Sequence, residues 1–490
     1  MYKAYITALT NVRKHPNADR LLLADVFGNT VCVSTDYSEG QVGIYFPTDG
    51  QLSVEFAEKN NLLRKKDDAG NNIGGYMDPN KRNVTAIRLR GEKSDGLFLP
   101  LSALNYCFAH GDASIELRVG DVIDGCVNGH EICTKYIPRR PDPSRAHGGN
   151  KTRKHKVDVA PLFKEHADTE QLAYNLSAFK PGDEIEITLK CHGTSQRTGY
   201  LPTLKGYSDT WPCRIGNSFR HILNKLDGGH REDKHDGEPI YDWGYVSGTR
   251  RVVLEDYEGG YYGDNAFREQ HSKIFEGKLW KGETVYYEVV GFTTSGAPIM
   301  ASANNKKLND KAFIKQYGEE TVFSYGCHPD GVNHLTANGG EGDPFFDPHP
   351  QSDIYVYRMT MTNEDGDVVE YTPDFMRYRC EQMGVKTVPV FAKVYVRDNS
   401  VISHNADGTC YGGTLPPDWT FGDGVKDIAD KFIDGPDPIG KTHLREGVVV
   451  RIVNRPKFTA YKSKSFEFRV LEGIIKDVAT APDMEEAQEV

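Results

Sequence analysis

Lys190 is the residue from which chemistry can be argued first. It stands in Lys190-Cys191-His192-Gly193-Thr194-Ser195, directly behind Asp183-Glu184-Ile185-Glu186-Ile187-Thr188-Leu189, where apolar and polar residues alternate. A period of two is the pattern of a strand with one buried face, so Ile185, Ile187 and Leu189 are expected inward. Lys190 then shares the opposite face with Glu184, Glu186 and Thr188, and Gly193 lets the chain turn and a ligand approach the backbone. An isolated lysine at a strand end is ordinarily a solvated charge. Its amine attacks phosphorus only when unprotonated and when the phosphate charge is neutralised, so such a nucleophile needs cations beside it and usually a divalent metal.

The chain supplies such company further on. Val285-Tyr286-Tyr287-Glu288-Val289-Val290-Gly291 reads as a strand with one carboxylate among apolar residues, an unusual place for an acid. Ile354-Tyr355-Val356-Tyr357-Arg358 is an aromatic strand, and Glu446-Gly447-Val448-Val449-Val450-Arg451 sets a second carboxylate at the head of a valine run. Lys462-Ser463-Lys464 places two cations two positions apart, hence on one face of a strand. Ser247-Gly248-Thr249-Arg250-Arg251-Val252 adds two arginines between the first and second of these groups.

In this order the segments resemble the nucleotidyltransferase motifs shared by ATP-dependent ligases and RNA-capping enzymes: motif I at Lys190, Ia at Arg250, III at Glu288, IIIa at Tyr357, IV at Glu446 and V at Lys462 and Lys464. The His192-Gly193 form of motif I resembles the RNA ligase branch. Leu189, Ser195 and Arg358 depart from the residues often found beside these motifs. The resemblance implies that Lys190 takes AMP from ATP. Lys462 and Lys464 would lower its pKa by like-charge repulsion and stabilise charge on the phosphoryl oxygens. Glu446 would hold Mg²⁺ or Mn²⁺, Glu288 would bond the ribose, and Tyr357 would stack on adenine with Val448 or Val449 over the other face. His192 completes the implied catalytic set, and Gly193 and Arg250 the nucleotide-binding set.

These residues need elements to hold them, and 490 residues imply more than one core. Residues 1–135 carry short β-prone runs (Ala4 to Leu9, Leu21 to Val26, Thr30 to Thr35, Val42 to Pro47, Asn83 to Arg90) broken by turn signals, which suggests a small barrel. His15-Pro16-Asn17-Ala18-Asp19-Arg20-Leu21 resembles the opening of tRNA-binding-type OB domains, and a similar module precedes the catalytic domain of Deinococcus-type RNA ligases. Residues 136–158, mixing Arg and Lys with Pro and Gly, read as a basic linker able to grip phosphates. A domain over 159–475 is expected to open with a helix from Asp168 to Phe179, and 476–490 to form an acidic tail. The insertion from Leu201 to Trp243 holds His221, His230 and His235 at no zinc-like spacing, which reads as solvated loop histidines.

The expected fold is therefore α+β: an OB-like β-barrel, then an ATP-grasp-like ligase domain of antiparallel sheets with flanking helices. A net charge of −11 excludes coating of nucleic acid by bulk electrostatics, so contact with RNA must be local. Nine cysteines without a Cys-x-x-Cys pair exclude a disulfide framework and a zinc knuckle. No apolar run approaches the roughly 20 residues that span a bilayer, so a cytoplasmic setting is expected, or host cytoplasm for a phage-encoded chain. About twenty residues follow Arg469, too few for the trailing OB domain of DNA ligases and capping enzymes. The resemblance thus favours ATP-dependent sealing of 3′-OH/5′-phosphate nicks in RNA-containing duplexes, as in RNA repair. The alternatives are a DNA ligase, a guanylyltransferase, or a non-catalytic RNA- or tRNA-binding protein.

Overall fold

A computed structural model describes residues 2–66, 72–136, 158–227, 233–254, 257, 265–294, 299–300, 311, 314–315, 352–439 and 444–477. Most of the expected basic linker and acidic tail, and His230, lie outside them. No helix among the described residues is long and apolar enough to cross a membrane.

Before residue 137 the frequent turn residues keep strands short. Among them are β1 (Ala4–Ala8), β2 (Leu21–Val26), β3 (Asn29–Ser34), β4 (Val42–Phe46), β5 (Ala86–Leu89), β6 (Glu92–Asp95) and β7 (Leu97–Pro100). The β2–β3 hairpin turns on Phe27 and Gly28, both at positive φ (51° and 75°), as a two-residue loop between right-twisted strands requires. The β5–β6 hairpin turns likewise on Arg90 and Gly91. β4 lies between β1 and β7 in a four-stranded sheet. Ile6, Ile44, Phe46, Phe56 and Leu104 fill the core beneath it. Among the described residues the ladders form separate small sheets and do not close into one barrel, because several of the strands after Pro47 are only two to four residues long.

From residue 158 onward two seven-stranded sheets dominate. The elements are β8 (Glu184–Leu189), β9 (Thr194–Tyr207), α1 (Trp211–Asp227), β10 (Pro239–Gly248), α2 (Ala266–Lys273), β11 (Glu283–Gly291), β12 (Ser352–Thr362), α3 (Pro373–Met383), β13 (Val390–Arg397), β14 (Ser400–Asn405), β15 (Cys410–Thr414), α4 (Phe421–Ile433), β16 (Gly447–Ile452), β17 (Thr459–Lys464) and α5 (Phe466–Asp477). The first sheet runs β17-β16-β8-β13-β14-β15, with Glu170–Gln171 on its edge. The second runs β10-β9-β11-β12, flanked by Val253–Leu254 and Val368–Glu370, with Lys386–Thr387 as its seventh strand in parallel with β12.

β8 is central to the first sheet, and the alternation read from its sequence sets its two faces. Ile185 and Ile187 pack with Val394, Val425, Val448 and Val450 in the core under α4. Glu186 and Thr188 point the other way but are also buried, at 5% and 8% exposure, because that face is covered by the second sheet's layer and α3 instead of water.

The helix expected from Asp168 to Phe179 does not form. Glu170–Gln171 pairs in parallel with β17, and two short 3₁₀ turns, Leu172–Tyr174 and Leu176–Ala178, follow. Tertiary docking overrides propensity here: Leu172 and Phe179 enter the core, and Tyr174 packs on Tyr5, Phe27 and Tyr45. The insertion is likewise not a plain loop, since β9 and β10 extend through it as a ribbon bearing α1. His221 meets Asp233 at 3.2 Å, and His235 meets Asp209 at 2.7 Å while stacking on Tyr207.

Candidate active site

Lys190 sits where the chain leaves the first sheet and enters the second. β8 ends at Leu189 and β9 begins at Thr194, and the Lys190 N–H donates to the Gly447 carbonyl of β16 at 3.0 Å. Gly193, midway, has no room for a side chain: a Cβ would lie 2.3 Å from the Val289 carbonyl oxygen and 2.9 Å from Glu288 Cγ. Its role in this structure is to let β11 approach the crossover, and it does not line the cleft.

The Lys190 ammonium lies 2.8 Å from Glu446 Oε1, and Lys464 Nζ reaches the same oxygen at 3.3 Å. His192 Nδ1 stands 3.5 Å from the other oxygen, Oε2. Glu446 is 3% exposed. Burial alone pushes such a carboxyl up, but Lys190, then Lys464, then His192 outweigh it and hold Glu446 well below the usual range. His192 faces this carboxylate and meets the Phe468 ring edge-on at 4.9 Å, so it orients Glu446 from beneath the cleft. In the β16–β17 ladder Lys464 lies opposite Gly447 and Lys462 opposite Val449, which puts both lysines on one face.

Above this cluster opens a cleft of about 810 Å³, including its mouth. Lys190, Thr188, Glu186, Val449 and Arg451 line it from the first sheet, Glu288 and Tyr357 from the second. Val448 does not. It is fully buried against Ile185 and Ile187, and Val449, opposite Thr188, takes the cleft face. A shift of one residue along a strand reverses its side, and the pairing that fixes it is not written in the valine run.

Tyr357 is anchored by a 2.8 Å hydrogen bond between its hydroxyl and Ser195 Oγ. Burial pushes that phenol well above its ordinary pKa, so it stays neutral. Arg358, the next residue, turns away to pair with Glu370 and leaves the Tyr357 ring toward the cleft. Burial likewise pushes the Cys191 thiol well up, which leaves it inert as a nucleophile.

Several lining residues carry no motif. Arg377 of α3 grips Glu186 with two hydrogen bonds, 3.0 and 2.8 Å. His166 packs on Tyr357, Tyr286 and Phe458 at ring distances of 5.1 to 5.5 Å. Arg250, the arginine expected from motif Ia, also lines the cleft; it bonds Asp168 at 2.9 Å, as does Arg251, and the Arg250 carbonyl accepts the His166 N–H.

Two buried arginines brace these walls. Arg197, 1% exposed, donates to the carbonyls of Thr249, Phe163 and Lys164 and stacks on Phe163, which fixes the strap leading to His166. Arg268 of α2 donates to Ser195 O at 3.2 Å and Thr194 Oγ1 at 2.8 Å, so it holds the start of β9. One turn on, His271 is buried with Nε2 2.7 Å from Ser352 Oγ.

The two sheets with a cleft at their crossover form a fold shared with RNA ligases. A point mutant of Naegleria gruberi RNA ligase in its apo form superposes over 96% of this chain and 98% of its own, with a TM-score of 0.50 and 16% identity. Mutants of the same ligase with AMP and Mn and with ATP and Mn give TM-scores of 0.49 at 14% and 15% identity, each over 95% of this chain and 97% and 98% of their own. No family model and no curated protein matches the chain.

Proposed function

We propose that the chain is an ATP-dependent RNA ligase that seals 3′-OH/5′-phosphate nicks through an AMP adduct on Lys190. The observation that carries this reading is the convergence of Lys190 and Lys464 on one oxygen of buried Glu446, directly behind the point where Lys190 lines a cleft that also presents Tyr357, Val449 and Glu288. An amine held beside a second ammonium suits attack on a phosphate that carries several negative charges. Lys464 stabilises charge on the α-phosphate oxygens as pyrophosphate leaves. Tyr357 and Val449 offer a flat ring and an aliphatic wall to a purine, and Glu288 an acceptor for a ribose hydroxyl.

Glu446 is an oxygen donor with a strong hold on its charge, which fits Mg²⁺ or Mn²⁺ bound largely through waters and phosphate oxygens. Such an ion, when bound, neutralises triphosphate charge. AMP then passes from Lys190 to the 5′-phosphate of the nick, and the 3′-OH displaces it. In each step the protein's part is positioning and charge stabilisation. Placement of the cleft behind an N-terminal β-rich part agrees with the Deinococcus-type arrangement.

The test is incubation with α-labelled ATP or GTP followed by denaturing gels. The chain is expected to take label from ATP, and both Lys190→Ala and the charge-keeping Lys190→Arg to take none; Ala leaves buried Glu446 without its nearest cation and should cost stability, so the Arg variant is the one expected to stay folded like the parent. Label from GTP alone would sink this reading in favour of a capping-type enzyme. A panel of nicked duplexes with ribose or deoxyribose at the 3′-OH end then separates RNA from DNA ligase.

A further inference from the structure

Helix α5, which follows Lys464, is held from two sides. Ser465, fully buried, caps it: its Oγ accepts the Phe468 N–H at 3.1 Å and donates to the Arg445 carbonyl at 3.2 Å. Its own N–H donates to the Glu446 carbonyl at 2.8 Å. Beyond the cap, the β5–β6 hairpin of the N-terminal part grips the helix. Asp95, 3% exposed, pairs with Arg469, and Glu467, 6% exposed, pairs with Arg88 and, at 3.7 Å, with Lys93. Arg88 and Lys93 also stand over the Phe466 ring at 5.5 and 4.9 Å, and Ala86 packs in one apolar cluster with Phe466, Phe468 and Leu471.

The same helix carries the supports of the site. Phe468 meets His192, and Glu472 takes Lys464 Nζ at 3.0 Å opposite its contact with Glu446. Glu467 and Glu472 are five positions apart, about 140° around the axis and roughly 7.5 Å along it, so a shift at one is delivered to the other by a stiff rod.

We propose that the β5–β6 hairpin positions Lys464 through helix α5, so that the N-terminal part acts on lysine adenylylation itself as well as on any RNA it meets. Arg88, Lys93 and Asp95 set the register of the helix, and Glu472 transmits it to the ammonium that faces the α-phosphate. The proposal rests on the reading of Lys190 and Lys464 given above.

The test uses the full chain, labelled ATP and single-turnover kinetics, with Glu467→Gln, Glu472→Gln and the double variant. Glu467→Gln is expected to slow the rate constant of adenylylation about 10-fold, with unchanged amplitude and with KM for ATP within about 2-fold. Glu472→Gln should slow it similarly, and the double variant should be no slower than the slower single, since both act on one helix. Lost amplitude at an unchanged rate constant would mean that the hairpin only stabilises the fold, and would overturn the proposal. Losses that multiply in the double variant would overturn it too. A parent chain that takes no label from ATP would remove the reading of the site, and the proposal with it.

Discussion

His271 gives the site a dependence on acid that can be worked from the structure. Its ring is 4% exposed beneath β12, with Ser352 at Nε2, and Nδ1 meets no partner among the described residues. Burial is the main influence and lowers its pKa from 6.5 to about 4; Asp353 opposes this and the nearby Arg268 guanidinium adds to it. A histidine depressed in the folded state is neutral there while the unfolded chain still binds a proton. Stability is therefore full above pH 6.5 and falls as pH drops toward 4.

With those two values the loss is about 2 kcal/mol at pH 5 and about 3 kcal/mol at pH 4. For a catalytic part of this size, about 2 kcal/mol lowers Tm by roughly 3 °C. His271→Gln keeps a donor toward Ser352 and removes the titration. Thermal unfolding of parent and variant from pH 7.5 to 5 should therefore show the parent losing about 2 kcal/mol more than the variant. Parallel curves would refute the argument. The variant should also retain adenylylation at pH 5 better than the parent, because α2 carries the Arg268 that holds Thr194 and Ser195.

Two further outcomes are expected. Gly193→Ala forces a methyl against the Val289 carbonyl, which should destabilise the chain by about 1–3 kcal/mol and slow adenylylation, both visible in urea unfolding and label uptake; parent-like behaviour would mean that β11 moves aside freely. Tyr357→Phe loses only the bond to Ser195 and should raise KM for ATP less than about 5-fold. Tyr357→Ala loses the ring and should raise it about 10-fold or more, and equal effects of the two would deny the ring a stacking role.

What could be read in advance followed from local rules. The alternation in β8 set Glu186 and Thr188 on the face that Lys190 shares, and the Lys-x-Lys spacing put Lys462 and Lys464 on one side of β17. Choosing between Val448 and Val449 needed the pairing of Thr188 with Val449, a contact across some 260 positions that no local pattern encodes. Arg377, His166 and Phe458 were missed for the same reason. Each reaches the cleft by tertiary packing from a segment with no motif. The segment from Asp168 to Phe179 had acceptable helix formers throughout, and only docking against β17 and the aromatic group at Tyr5 decided otherwise.

Arg197 has a consequence for how freely one wall of the cleft can move. Its guanidinium is satisfied by Phe163 and Lys164 carbonyls in the strap that ends at His166, and burial already pulls its pKa down. Lifting the strap would leave a cation in the interior without those partners, at a cost on the order of 3–5 kcal/mol, so fewer than about 1 molecule in 100 would have it raised at any moment. That side of the cleft is a doorpost rather than a door. If the cleft takes a nucleotide as proposed, the wall bearing His166 stands ready before the base arrives, and the packing of His166 on Tyr357 is preset instead of induced.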